Sequence, residues 1–245
     1  MAQQENNKRI SAIVPAYNEA GRIEQVLSVL ISYPDFDEVI VIDDGSNDDT
    51  SDIAARFGAQ IARNHENIGK GRSIDRGIAM AKGDIIFCSD ADIIGLTHSM
   101  IDEILLPVKE GRVDMFIGMQ DRTIYSRRPI LLFTPLLGGQ RAFTRELWGR
   151  IPPEFKERFR IETALNFYAI HTGKSFRCKA FSGLRQIIKE KKYGALEGFL
   201  RRLGMFSDII AANWLLHMQP FSPLRLWRRL VRSFFVRRDN ITEGK

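Results

Sequence analysis

Asp84-Ile85-Ile86-Phe87-Cys88-Ser89-Asp90-Ala91-Asp92 is an apolar run that ends in two carboxylates one residue apart. The apolar part reads as a buried strand, and the pair at its end concentrates negative charge. Two like charges about 4 Å apart repel by roughly 1 kcal/mol in water and by several-fold more inside a protein. A hard divalent cation such as Mg2+ or Mn2+ removes that repulsion and commonly brings phosphate oxygens as further ligands. The alternative is an ordinary solvated Asp-x-Asp turn. The flanking sequence weighs between the two.

Upstream, Ile10-Ser11-Ala12-Ile13-Val14 reads as a strand stopped by Pro15, and the spacing of Ile23, Val26, Leu27 and Leu30 predicts a helix. Val39-Ile40-Val41-Ile42 is apolar at every position, as expected in the middle of a parallel sheet, and ends in Asp43-Asp44-Gly45-Ser46. Asp48, Asp49 and Thr50 offer caps for a helix through Ile53, Ala54 and Phe57. A short strand at Gln60-Ile61-Ala62, a polar loop from Asn64 to Gly71 and a helix from about Ser73 to Ala81 follow. Such alternation calls for right-handed crossovers in an α/β fold with a mostly parallel sheet flanked by helices. Ligands on such sheets sit at the carboxyl ends of the strands. Asp43, Asp44, the Asn67–Gly71 loop, Asp90 and Asp92 all fall on that rim, which favours the cation. Gly69-Lys70-Gly71 is neither a dinucleotide fingerprint, since Ile74 stands at the third glycine, nor a Walker loop, since no Ser or Thr follows Lys70.

Four stretches then carry a resemblance: Val14-Pro15-Ala16-Tyr17-Asn18-Glu19, Val41 through Thr50, Asn67-Ile68-Gly69-Lys70-Gly71 and Asp90-Ala91-Asp92. In this order and spacing the chain resembles family 2 glycosyltransferases of the GT-A fold, in particular the dolichol- and polyprenyl-phosphate mannose synthase branch. The resemblance implies an inverting transfer of a sugar from a UDP- or GDP-sugar, with Mg2+ or Mn2+ as cofactor. By position, Pro15, Ala16, Tyr17 and Glu19 with Asp43 and Asp44 would hold base and ribose. Lys70 would lie near the base or diphosphate. Asp90 and Ala91 would line the donor, and Asp92 with Asp90 would hold the metal. Ile94 stands where some members offer a polar ligand.

Downstream, Asp114 to Met119 reads as another strand. Gln120 to Leu137 follows, with Arg122, Arg127 and Arg128 as candidate acceptor or membrane contacts against a solvated-surface alternative. Gly138-Gly139-Gln140-Arg141 leads into a helix from about Thr144; two glycines before Arg141 allow close approach of a ligand. Glu162 opens a periodic helix from Ile161 to His171. In the family an acidic residue here serves as general base when the acceptor is a hydroxyl; otherwise it is a first-turn carboxylate favouring the helix dipole. The four histidines share no spacing that suggests a metal ligand.

The 245 residues are 44% hydrophobic and 27% charged, with a net charge of +6, proportions ordinary for a globular protein. The charge is unevenly placed: from Arg185 onward there are 13 Lys/Arg against 5 Asp/Glu. Leu226, Trp227, Leu230, Val231 and Phe234 share one helical face, with Arg225, Arg228, Arg229 and Arg232 largely opposite. A basic amphipathic helix with aromatic residues predicts an anchor on an anionic membrane surface; packing on its own domain or a dimer contact are the alternatives. Residues 1–184 are thus expected to form the catalytic domain and 185–245 a helical basic extension. Cys88 and Cys178 are far apart in apolar segments, and the N-terminus is polar, so a cytoplasmic enzyme on the inner face of the membrane is expected. No nucleic-acid-binding motif accompanies the charge. The acceptor is expected to be lipid-linked, such as polyprenyl phosphate, or a phosphorylated small molecule. A non-catalytic nucleotide-sugar-binding or scaffold protein is the alternative of another class.

Overall fold

In the computed structural model, described over residues 8–120, 139–157, 160–171, 173–186 and Leu216, strands and helices alternate as the apolar runs dictate. The first half comprises β1 (Ile10–Ala16), α1 (Ile23–Ile31), β2 (Glu38–Asp43), α2 (Thr50–Arg56), β3 (Gln60–Arg63), α3 (Lys70–Met80) and β4 (Ile85–Cys88). Then come β5 (Ile93–Ile94), α4 (His98–Lys109), β6 (Met115–Gln120), β7 (Gln140–Thr144) and α5 (Arg145–Gly149). A 3-10 turn (Pro153–Phe155), α6 (Arg160–His171), β8 (Phe176–Phe181) and β9 (Arg185–Gln186) complete the described order. Arg122, Arg127, Arg128, Trp227, Arg228 and Arg229, and with them the candidate membrane helix, lie outside the described residues.

Seven strands form one sheet in the order β3-β2-β1-β4-β7-β6-β8. β1, β2, β3 and β4 run parallel, β7 runs antiparallel to both β4 and β6, and β8 is parallel to β6. This is the mostly parallel, helix-flanked sheet expected from the sequence. Period-2 alternation splits the strands between two cores. Ala12, Val14, Val41 and Phe87 face α1 and α4, whereas Ile13, Ile40, Ile42, Ile86 and Phe143 face α3, α5 and α6. A sheet covered on both sides explains why β2 and β4 are continuous apolar runs.

Several boundaries differ from the sequence reading. β1 is not stopped by Pro15 but runs on to Ala16, because β2 continues beside it and pairs with both residues. Residues 140–144 form a strand and not only a lead-in to α5; β4 and β6 on either side supply its pairing. α3 begins at Lys70, three residues before Ser73, because Asp44 accepts the Ile68 and Gly69 N–H groups at 3.0 and 2.9 Å and seats the helix start. At its other end, Arg145 donates to the carbonyls of Ile78, Ala81 and Gly83 at 2.7–2.9 Å and so caps α3. At the start of α2, by contrast, the Asp48 carboxylate accepts the Thr50 N–H at 3.1 Å.

Neither Cys88 nor Cys178 is joined in a disulfide. Burial pushes the Cys88 thiol up to about 12, although Lys70 and Arg141 pull the other way. At pH ~8 the native protein should therefore show one reactive thiol, the half-buried Cys178, and a second only in denaturant. Two rapid equivalents in a native thiol titration would contradict the placement of Cys88.

Candidate active site

The carboxyl rim begins with two loops joined by polar contacts. Asn18 takes a left-handed conformation, with φ 54°; its N–H donates to Ser46 Oγ at 2.9 Å, and the Asn47 N–H donates to its Oδ1 at 2.8 Å. The Glu19 N–H donates to Thr50 Oγ1 at 2.8 Å, and Arg22 pairs with the Glu19 carboxylate. Pro15 and Tyr17 are half-buried on this rim, and Ala16 and Glu19 are buried. Asp43 accepts the Ser46 N–H at 2.8 Å and the Ser51 hydroxyl, and it faces Arg63. Asp44 also accepts from Asn64 Nδ2 at 2.8 Å. Both carboxylates thus shape the rim itself, whatever else they hold.

At the centre stands Lys70, the first residue of α3. Its ammonium lies 2.7 Å from Asp90 Oδ1 and 2.7 Å from Glu162 Oε1, with the lysine side chain only 19% exposed. Burial alone would depress such a lysine; the two carboxylates outweigh it and raise its pKa well above the ordinary lysine range. It stays an ammonium at any physiological pH. The sequence placed Lys70 beside the donor and Glu162 beside the acceptor. The structure joins them, across 92 residues of chain, into one ion cluster with Asp90.

Arg141, 2% exposed, lies behind this cluster. Its guanidinium donates to Asn166 Oδ1 at 2.8 Å and to the Glu162 carbonyl at 3.4 Å. Burial lowers its pKa, opposed by Glu162 and Cys88, and a guanidinium remains charged regardless. Lys70, Cys88, Gly139, Arg141, Trp148 and Glu162 line one small pocket. Ala91 (3% exposed) and Asp92 (8%) follow Asp90, and Gln186 on β9 donates to Asp92 Oδ1 at 2.9 Å and Asp90 Oδ2 at 3.3 Å. Asn64, Gln120, Asn166 and Gln186 are polar members of the site that the sequence reading passed over. Only Asn64, polar at the end of β3, carried a local signal.

Gly139 leaves room for Asp90: a Cβ there would overlap the Asp90 carboxylate. Gly139→Ala should therefore displace a carboxylate that Lys70 holds in place, lowering kcat by about 100-fold, the usual effect of a 1 Å misplacement. Steady-state kinetics beside an unchanged circular dichroism spectrum would show this; a variant within twofold of wild type would contradict the packing.

The donor set fits a hard cation that keeps open positions. Among the described residues no cluster of three or more His, Cys, Asp or Glu forms a closed cage. Two carboxylates of one short turn leave the remaining positions to phosphate oxygens, the usual arrangement for Mg2+ or Mn2+ in phosphate chemistry.

A mostly parallel, helix-flanked sheet with one reversed strand beside β4 is the architecture of the GT-A glycosyltransferases. The chain belongs to glycosyl transferase family 2, whose family model matches residues 11–185. Among its relatives, the glucosyl-3-phosphoglycerate synthase of Mycobacterium tuberculosis is 31% identical over 132 residues, covering 50% of this chain and 39% of that protein. The human dolichyl-phosphate beta-glucosyltransferase is 36% identical over 101 residues, covering 35% of this chain and 31% of that protein. The chain thus spans well under half the length of these two relatives. A crystal structure of the mycobacterial synthase with Mn2+, UDP-glucose and phosphoglyceric acid superposes with a TM-score of 0.70 at 25% identity, over 88% of this chain and 82% of that one.

Proposed function

We propose that the protein transfers a sugar, with inversion, from a UDP-sugar to an acceptor that carries a phosphate, using Mg2+ or Mn2+. The observation that carries this is the Lys70 bridge: Asp90 on the donor side and Glu162 on the acceptor side meet one ammonium at 2.7 Å each. The anomeric carbon then lies beside that cluster, between leaving group and acceptor. The cation, held by Asp90 and Asp92, would neutralise charge on the departing nucleoside diphosphate. Asp43, Asp44 and the Pro15–Glu19 loop form the bed for base and ribose. Lys70 keeps the two carboxylates apart in charge and adds a fixed positive centre where negative charge develops. Glu162 takes up an acceptor proton if the acceptor attacks through a hydroxyl; a phosphate oxygen needs no such base. Asn166 and the Glu162 carbonyl fix the Arg141 guanidinium close behind.

Glucose is the favoured sugar, because both relatives are glucosyl-transferring by name and the mycobacterial structure contains UDP-glucose. Their names also support a phosphate-bearing acceptor, soluble in one case and a lipid in the other. The basic segment after Gln186 favours the lipid, presented at an anionic membrane surface, with residues 187–245 as its anchor, since Arg185 and Gln186 form β9 beside the acidic pair. No helix among the described residues is long and apolar enough to cross a membrane. The deciding experiment offers UDP-glucose, UDP-galactose and GDP-mannose with Mn2+ to phosphoglycerate in solution and to polyprenyl phosphate in anionic vesicles. Transfer from UDP-glucose to either acceptor supports the reading. Binding of every donor without transfer or hydrolysis would overturn it and leave a sugar-nucleotide-binding protein.

A further inference from the structure

The acidic pair has a third neighbour brought from far along the chain. β5 and β9 form a separate two-stranded antiparallel ladder in which Ile93 faces Gln186 and Ile94 faces Arg185. The ladder is fixed at its end by Gly95, which has φ +80° and sits where any Cβ would strike the Gly183 carbonyl. Its register puts the Gln186 amide where the two carboxylates converge, donating to Asp92 at 2.9 Å and to Asp90 at 3.3 Å. Behind it, Gln120 at the end of β6 donates to Gln186 Oε1 at 3.0 Å. Ile93 and Ile94, next in sequence after Asp92, carry no ligand atom on their side chains. The ladder supplies an amide where the local chain has only hydrocarbon.

A glutamine amide presents a donor and an acceptor on one planar group, and half a turn about its last torsion exchanges them. As a donor, Gln186 eases the repulsion between Asp90 and Asp92. When a divalent ion neutralises the pair, a donor N–H pointing at that ion is repelled, whereas the amide oxygen is a suitable hard ligand. Gln120 can follow the exchange, since its own amide offers an oxygen to accept from the turned Gln186 Nε2. Resting on the assignment of the cation to Asp90 and Asp92, we propose that Gln186 is the third protein arm of the cation site. Its amide oxygen turns onto the ion, and Gln120 is the positioning residue that turns with it. A neutral arm completes an all-oxygen site suited to Mg2+ or Mn2+ without adding a third charge that would hold the ion too tightly in the absence of nucleotide.

The test is a Mn2+ titration of the full chain followed by electron paramagnetic resonance, with and without UDP. Gln186→Leu should weaken Mn2+ binding in the presence of UDP by about 10–100-fold, the usual effect of removing a supporting group at a metal site. Gln186→Glu should bind Mn2+ more tightly than wild type without UDP. Gln186→Asn, which keeps the amide on a shorter arm, should also weaken binding and covers the case in which Gln186→Leu fails to fold. Wild-type Mn2+ affinity in a folded Gln186→Leu or Gln186→Asn variant overturns the proposal. Asp92→Ala, run alongside, separates the failures. If it loses Mn2+ while Gln186→Leu does not, only the third arm falls. If it too keeps Mn2+, the cation assignment itself falls.

Discussion

Asp92→Ala is expected to lower the rate of sugar transfer by about 10³-fold or more, and to abolish Mn2+ binding. Asp92 is 8% exposed in the turn after β4 and accepts from the Gln186 amide at 2.9 Å. What disappears is half of the negative charge that holds the ion against the diphosphate. Stabilising a leaving group in this way contributes several kcal/mol, and each 1.36 kcal/mol is tenfold in rate. Asp92→Asn keeps shape and hydrogen bonding without the charge and should fall nearly as far. Transfer rates beside metal binding, measured on both variants, check this; a near-wild-type rate in either would remove the metal from the mechanism.

Lys70→Met should lose stability as well as activity. The ammonium is 19% exposed and bridges side chains that are 13% and 10% exposed, so its removal leaves two carboxylates buried without a cation. Breaking a buried pair of this kind costs about 3–5 kcal/mol, or a fall of roughly 10 °C in Tm for a domain of this size. The sign of the pH dependence follows from the raised Lys70 pKa. A base whose folded pKa is raised contributes stability fully below its ordinary range and loses it as pH rises through the raised value. The gap between wild type and Lys70→Met should therefore hold from neutrality to about pH 9 and close only above the ordinary lysine range. Thermal melts across that range would show it. A gap that closes already at pH ~8 would mean that Lys70 is not the bridge.

The parts of the fold that were legible in the sequence are those whose cause is local. Val39–Ile42 and Ile85–Phe87 are apolar throughout because both faces of β2 and β4 are covered, and such runs declare themselves. The rim followed from them, since Asp43, Asp44, Asp90 and Asp92 stand directly after their strands. β7 was not legible. Gln140-Arg141-Ala142-Phe143-Thr144 has two polar residues at its start, and both are buried only because β4 and β6 close on either side. Arg141 itself was found through the glycines before it, but its partner Asn166 was not. The Lys70–Glu162 pair joins residues whose separation leaves no periodic trace: Glu162 was legible as a candidate base or a helix-dipole carboxylate, but not as the partner of Lys70. Gln186 was hidden most deeply, on a two-residue strand whose existence depends on pairing with another two-residue strand.

The reversal of β7 has a bearing on how acceptor choice can diversify. β6 ends and β7 begins at the same rim, with Gly118 and Gln140 paired directly across the ladder. Gln120 and Gly139, the described residues on either side of 121–138, therefore stand at the same rim of the sheet, beside the site. Doubling the length of such a connection costs only about 0.6 kcal/mol in closure entropy. Segments of different length and composition can be exchanged between Gln120 and Gly139 while Asp90, Lys70 and Glu162 stay where they are. This makes the connection a natural graft point: a chimaera carrying a relative's 121–138 segment tests whether acceptor preference travels with that segment while the donor chemistry stays with the sheet.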